Sequence, residues 1–451
     1  MAETPSSPNI QRSLGALAGP MVIENLLRLV LMLVELLILN DFNGQAVAAV
    51  GLIDQFLWFL QILYLTIATG TGILLSQYLG SKRQEDAEMA MLASYGLVVV
   101  FGLILGLVLS VTASSIVGLY GLAPQVRDYA STFLTINAAG SIFLALSMVQ
   151  GTVLRAHGHT KSPMVVNIVV DAVSLVATYV VLYGPFGLPV LGVAGFASAK
   201  IVTQAAGTVV LGIILHSHKE IVCRLHKLTS VGAEVYRRIL RVGIPPAGEM
   251  LSFSLSQMVI MRAITLLGTN ALLAFVYVER ITSFVTMATM AIGSAGQIKI
   301  GWMVGAGKFD LAARRGFQYY GLGMVVSTVL ILVVVLFRNP LLAFFTTNSD
   351  VLALGASLLV VSIFRETGRV ANIVVIPALN GAGDVHFPVI SGLFFVWGIA
   401  VPGSWLLGIT LGWGMIGIWI ALSADEWLRG LLMVHRWATG RWKSKALIRA
   451  T

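Results

Sequence analysis

Long apolar runs dominate the hydrophobic pattern of this chain and predict helices that cross a membrane. Runs of about 20 apolar residues, the length that crosses a bilayer as a helix, recur along the whole sequence between charged or Gly/Pro-rich breaks. Their spacing predicts about twelve helices, which begin near residues 15, 48, 88, 130, 163, 189, 241, 270, 317, 351, 386 and 412. The polar intervals are too short for a separate soluble domain. We therefore expect an all-α integral membrane protein.

The two halves of the sequence resemble each other. Residues 20–163 align with residues 245–388 without gaps, and the matches fall on residues that shape helices: Pro20 with Pro245, Glu24 with Glu249, Gly80 with Gly305, and Asp54 with the like-charged Glu279. Such a repeat predicts two six-helix lobes around a central cavity, the architecture of an alternating-access transporter.

The repeat also divides the chain. We place the N-lobe at residues 1–215, a basic cytoplasmic linker at residues 216–241, and the C-lobe with a basic C-terminal tail at residues 242–451. Within the linker, we expect "VYRRILR" to form a short amphipathic helix on the inner leaflet.

Composition and charge agree with this interpretation. The chain is 57% hydrophobic and 11% charged, with a mean hydropathy of +0.89. Lys and Arg concentrate in the tails and the even-numbered connections, whereas Arg127 and Arg338 lie in odd-numbered ones. The positive-inside rule then predicts a multi-pass protein of the plasma membrane with both termini in the cytoplasm. Membrane topology thus accounts for the net charge of +9 without a nucleic-acid partner.

Three charges interrupt the first apolar run, "IENLLRLVLMLVELLIL". Glu24, Arg28 and Glu35 fall within about 40° of one another around a helix. Charges inside a membrane normally face a protein interior or a watery cavity, and each is a candidate functional residue. Glu24 and Arg28 can form an i,i+4 pair that either locks the helix or lines a cavity. Glu35 has no partner on its own helix, so it needs one from another helix or must bind a proton.

The fifth and sixth runs add further candidates for ion coupling. Asn167 and Asp171 share one helix face, and their oxygens suit either a proton site or a Na⁺ site. In the next run we expect Lys200 to face the same interior and pair with Asp171 or Glu35. An ammonium group competes with Na⁺ for those oxygens, which favours H⁺ as the coupling ion.

The C-lobe runs hold a larger and more basic set of charges. We interpret it as a cation-rich cavity for an anionic or zwitterionic substrate, because arginine binds carboxylate and phosphate groups bidentately. Mutual neutralisation is the alternative. The candidate residues are Glu249, Glu279, Arg280, Arg365, Glu366 and Arg369.

Motifs of enzyme chemistry are missing from the sequence. It contains neither a Walker A motif nor H-E-x-x-H, and its seven histidines suggest no metal cluster. We therefore expect neither an enzyme nor a metal site, and no cofactor other than H⁺ or Na⁺ as coupling ion. The single cysteine, Cys223, excludes an internal disulfide.

Seven segments resemble the multidrug and toxic compound extrusion (MATE) family of the multidrug/oligosaccharidyl-lipid/polysaccharide exporter superfamily. In chain order they are "VELLILNDFNGQAVAAVG", "SQYLGSKRQEDAE", "LRAHGHTKSPMVVNIVVDAV", "LGVAGFASA", "LRVGIPP", "LGTNALLAF" and "VGAGK". The resemblance implies twelve helices, a central cavity, and export of organic compounds driven by inward H⁺ or Na⁺.

The resemblance also assigns roles to particular positions. The family's first-span acid falls on Glu35, and the N-lobe cation pair of one branch falls on Asn167 and Asp171. Lys200 lies where that branch has a hydroxyl-bearing ligand. The C-lobe acids of another branch fall on Phe253 and Arg369, so its cation site cannot be transferred to this chain.

We therefore expect a monomeric H⁺-coupled exporter of small organic compounds, with the lipid bilayer as its other partner. A Na⁺-coupled exporter and a flippase for lipid-linked sugars or another anionic amphiphile are the alternatives within the superfamily. A membrane receptor or scaffold that transports nothing is the alternative from another class.

Overall fold

Helices form nearly all of the protein. A computed structural model describes residues 12–448, and residues 1–11 and the end of the basic tail, including Arg449, lie outside this range. The long helices are, in order, α1 (Leu14–Phe42), α2 (Gly44–Gly80), α3 (Gln84–Gly118), α4 (Pro124–Ala156), α5 (Lys161–Tyr183), α6 (Gly192–Ser217), α7 (Ala233–Leu266), α8 (Thr269–Gly305), α9 (Phe309–Leu336), α10 (Ser349–Ala382), α11 (His386–Thr410) and α12 (Gly414–Ala438).

Each predicted helix start lies within about two helical turns of the observed one. Nine of the long helices within residues 12–448 are long and apolar enough to cross a membrane. The other three, α1, α7 and α12, each carry charged side chains that belong to the two clusters described below.

The chain divides into two compact units, which are described separately. Unit 1 comprises residues Ile23–Leu75 and Arg83–Ala247, and therefore most of α1 to α6 and the first turns of α7. Unit 2 comprises the rest of the described chain, with α8 to α12, most of α7, and short pieces of α1 and α2.

In unit 1, α4 packs between α3 and α6, and α5 packs on α6. The Phe133 and Phe196 rings stack between α4 and α6 with centroids 5.5 Å apart. Elsewhere α2 and α7 meet backbone to backbone, because a Cβ atom on Gly243 would overlap the carbonyl oxygen of Thr66.

The segment "VYRRILR" is not a separate helix, contrary to the prediction. It forms the first turns of α7, which continues through Pro245 and Pro246. Prolines are tolerated inside membrane helices where neighbouring structure supports the backbone. The close contact of Gly243 with α2 supplies such support two residues before the first proline.

In unit 2, α10 occupies the centre and packs on α8, α9 and α12. The last turns of α2 contact α8 at two glycines that the internal repeat relates. A Cβ atom on Gly80 would overlap the carbonyl oxygen of Trp302, and one on Gly305 would overlap that of Gln77. The absence of a side chain at both glycines therefore lets the two helices touch.

Candidate functional site

The first charged cluster lies in unit 1 and is centred on Glu24 of α1. This side chain is buried, with 4% of its surface exposed. The Arg155 guanidinium on α4 donates from Nη2 to both carboxylate oxygens, at 2.9 and 3.0 Å. Asn167 of α5 donates from Nδ2 to Oε1 at 2.6 Å. Two neighbouring helices, α4 and α5, thus satisfy one buried carboxylate of α1.

Arg28 connects Glu24 to Asp171. Its Nη2 lies 3.7 Å from Glu24 Oε1, and its Nε lies 3.4 Å from Asp171 Oδ2. The predicted i,i+4 pairing is thus present, but the cross-helix contact is shorter. Two carboxylates and two guanidinium groups balance each other in this network.

A cavity of about 190 Å³ opens beside this network within unit 1. Glu24, Arg28, Arg155 and Asp171 form its charged wall. Polar and apolar side chains form the remainder: Gln61, Ser147, Thr152, Asn167, Gln204, Leu65, Ala68, Leu144, Met148 and Val170. Such a lining can hold a small compound that carries both polar and apolar groups.

Glu35 lies further along α1 and belongs to a different group of charges. Lys200 of α6 donates to Glu35 Oε2 at 3.3 Å, so the structure selects Glu35 rather than Asp171 as the partner of this lysine. Asp54 of α2 lies within electrostatic range of both. Lys200 therefore pairs with Glu35 while Asp54 lies near both, and we call Glu35, Asp54 and Lys200 the lysine triad.

The second cluster lies in unit 2 and is more acidic than the sequence indicated. Glu279 pairs with Arg365, and the Arg365 guanidinium also lies over the Trp419 ring at 4.8 Å. Arg369 contacts Glu366 at 2.9 Å. Each of these arginines thus has an acidic partner, which agrees with mutual neutralisation, the alternative to a cation-rich cavity.

Helix α12 adds three charged residues to this second cluster. Glu426 accepts hydrogen bonds from Arg369 Nε at 3.0 Å, Arg429 Nη2 at 3.1 Å and Asn372 Nδ2 at 2.7 Å. Asp425 has a single contact, from Arg429 Nη2 to Oδ2 at 3.3 Å, and its buried Oδ1 has no hydrogen-bond partner.

Glu249 completes the second cluster with a weaker contact. Its Oε1 lies 3.7 Å from Arg429 Nη1. The repeat relates Glu249 to Glu24, Asn380 to Arg155, and Gly392 to Asn167. Gly392 does lie against the Glu249 carboxylate, but neither replacement supplies a charge. The cluster therefore places the acids Glu249, Glu279, Glu366, Asp425 and Glu426 against the bases Arg365, Arg369 and Arg429.

Among the predicted site residues, Arg280 lies outside both clusters and outside the lysine triad in the described structure, since it is exposed on α8. Sequence reasoning in turn missed several members. Arg155 and Arg429 count among the basic residues of the predicted cytoplasmic connections, because each lies near the end of an apolar run. Asp54 carried a usable signal, because the repeat aligns it with the acid Glu279.

Comparison with known proteins gives a consistent result. The MatE family model matches the chain twice, over residues 20–180 and 245–406. An uncharacterized transporter of Bacillus subtilis, YisQ, is 34% identical over 437 residues, which are 96% of this chain and 96% of that protein. The probable multidrug resistance protein YoeA of the same organism is 26% identical, across 98% of this chain and 96% of its own.

Solved structures show the same fold. One solved structure shows a multidrug resistance MATE family transporter in an outward-facing conformation. Its TM-score is 0.89 at 17% sequence identity, and the match covers 97% of this chain and 99% of that transporter. A superfamily transporter of Pyrococcus furiosus, described as having a binding pocket of reverse polarity, gives the same TM-score and identity and covers 98% and 99%. The predicted fold class, about twelve membrane helices in two six-helix lobes with an internal repeat, is confirmed.

Proposed function

Because the chain belongs to the MATE family of multi-pass membrane transporters, we propose that it exports small organic compounds in exchange for protons. In this proposal the lysine triad is the proton site and the unit 1 cavity receives the substrate. The protein works as a monomer in the plasma membrane with both termini in the cytoplasm.

The observation that carries the proposal is the unequal charge of the lysine triad. Lys200 neutralises one carboxylate, and its 3.3 Å contact is with Glu35. Asp54 makes no ion pair within 4 Å in the described part of the chain, so one negative charge is left over. Binding a proton would remove this excess negative charge. Binding and release of that proton change how strongly α1, α2 and α6 attract one another.

The resident ammonium group favours H⁺ over Na⁺. A Na⁺ ion needs several oxygen ligands at close range, and the Lys200 ammonium already occupies the space beside Glu35 and repels a second cation. A proton binds to a single carboxylate oxygen and needs no such space.

Unit 2 supports cation exchange independently. Its buried cluster also holds more carboxylates than arginines, and Glu249 and Asp425 are its least satisfied acids. Glu249 and Asp425 are therefore the candidates for a second proton site.

The lining of the unit 1 cavity favours a polar, zwitterionic substrate over a purely cationic one. Its wall holds equal numbers of acids and arginines, and Arg28 is its most exposed charge, with 53% of the side chain accessible. A substrate carboxylate can contact Arg28 while a substrate amine contacts Asp171. In this assignment Asp171 binds substrate, and the lysine triad binds the proton.

The test is transport in liposomes that contain the purified protein. Uptake of a zwitterionic fluorescent dye is measured under an imposed pH gradient and, separately, an imposed Na⁺ gradient. The variants are Glu35→Gln and Asp54→Asn. The matched control is Asp41→Asn, which neutralises an α1 acid that bonds to Tyr183 and lies outside both clusters.

We expect flux that follows the pH gradient, is lost in both triad variants and persists in the control. Flux that follows only the Na⁺ gradient would replace the proposal with a Na⁺-coupled exporter. Flux that ignores both gradients and requires a lipid-linked donor would replace it with the flippase. The flippase hypothesis depended on a basic C-lobe cavity, and Arg365, Arg369 and Arg429 are all paired with acids.

A further inference from the structure

Two histidines and a glutamate meet at the end of unit 1 where α4 and α6 terminate. His159 Nε2 lies 2.6 Å from Glu220 Oε1, and His218 Nδ1 lies 3.9 Å from the same oxygen. The two imidazole rings stack with centroids 3.9 Å apart and planes at 23°. None of these residues belongs to either charged cluster described above.

Tight turns hold each ligand in place. After α4, Gly158 adopts a positive φ of 88°, and the His159 amide donates to the Leu154 carbonyl at 2.9 Å. This is the Schellman arrangement, which fixes the chain as it leaves a helix. After α6, the Ile221 amide donates to the His218 carbonyl at 2.9 Å. Because α4 packs on α6, the two turns are held side by side.

The surroundings favour a cation. Helix C-termini carry a partial negative charge from their unpaired carbonyl groups, and here two C-termini converge on the same three side chains. The Glu220 carboxylate adds a full negative charge. One nitrogen of each histidine and one Glu220 oxygen all lie within 4.8 Å of one another. Small side-chain rotations bring such atoms to the spacing of ligands around one ion.

We propose that His159, His218 and Glu220 form a binding site for a divalent transition-metal ion, with Zn²⁺ as the best-suited ion. Two imidazoles and one carboxylate are a common three-ligand set for zinc, in which water fills the fourth position. Imidazole donors disfavour Ca²⁺ and Mg²⁺, which prefer oxygen. The bound ion would fasten the α4–α5 turn to the connection that leads into α7.

The proposal is tested by calorimetric titration of zinc into the full-length protein, in detergent and in a buffer that does not bind metals. Any polyhistidine tag must be removed first, because it binds zinc itself. The variants are His159→Gln, His218→Gln and Glu220→Gln. The matched control is His226→Gln, which changes an exposed histidine of the same connection outside the cluster. Gel filtration verifies that each variant remains folded.

We expect one zinc ion per chain, a loss of affinity of at least about tenfold in each ligand variant, and no change in the control. Metal analysis after gel filtration gives the same stoichiometry independently of the heat signal. Absence of binding to the wild type, or equal binding by the wild type and the two histidine variants, would overturn the proposal.

Discussion

Asp425 and Glu426 are adjacent buried acids on α12, and we predict that removing their charges has very different effects on stability. Glu426→Gln and Asp425→Asn each delete one negative charge, from the same cluster and the same helix. Charge count alone would therefore predict equal effects. The hydrogen-bond partners predict unequal ones.

The magnitude follows from what each carboxylate accepts. Glu426 accepts from Arg369, Arg429 and Asn372, and the amide group of glutamine would direct N–H groups at some of these donors. Breaking a buried, paired charge in this way costs about 3–5 kcal/mol. Asp425 has one contact, at 3.3 Å, which the asparagine oxygen can retain. We expect a change below about 1 kcal/mol for Asp425→Asn.

Thermal unfolding in detergent micelles measures the difference, with tryptophan fluorescence as the signal. Trp419 and Trp427 lie on α12 itself and report on its environment. Unfolding of a large membrane protein need not be two-state, so the comparison rests on the order of the melting temperatures. We expect Glu426→Gln to lower Tm by several degrees and Asp425→Asn to leave it nearly unchanged. Equal losses, or a larger loss for Asp425→Asn, would refute the argument from local pairing.

Three further predictions concern other parts of the molecule. Burial and the nearby Glu88 carboxylate raise the pKa of the Cys223 thiol. Mass spectrometry across a range of pH should therefore show slow alkylation of Cys223 near pH 8 and faster alkylation in Glu88→Gln. Arg436→Gln removes the 2.8 Å partner of the buried Asp384 and should lower the free energy of unfolding by about 3–5 kcal/mol. The measurement is a loss of Tm that neutralising an exposed arginine does not produce. Gly305→Ala forces a methyl group against a backbone carbonyl and should destabilise the protein by about 1–3 kcal/mol despite the better helix propensity of alanine, again measured by Tm.

Much of the fold could be predicted from the sequence because the bilayer imposes a length on each helix. Apolar runs of the required length gave the helices, and the repeat gave the two halves. Spacing along one helix also identified a shared face, as with Asn167 and Asp171. Both residues do border the same cavity, with Glu24 and Arg28.

The partners of these residues across helices could not be predicted in the same way. A periodic pattern shows which face of a helix is polar but not which helix lies opposite it. Arg155 and Arg429 illustrate the limit, because a basic residue near the end of an apolar run looks like a cytoplasmic anchor. In the structure α4 and α12 extend further than the runs suggested, and both arginines bind buried carboxylates.

The contact between α2 and α8 has the form of an isologous dimer interface within a single chain. Gly80 lies against the backbone of Trp302, and Gly305 lies against the backbone of Gln77. The internal repeat aligns Gly80 with Gly305 and Gln77 with Trp302. In a twofold homodimer, residue i of one subunit contacts residue j of the other and the reverse contact follows by symmetry. The contact is therefore reciprocal at its two glycines, although the residues opposite them, Gln77 and Trp302, carry different side chains.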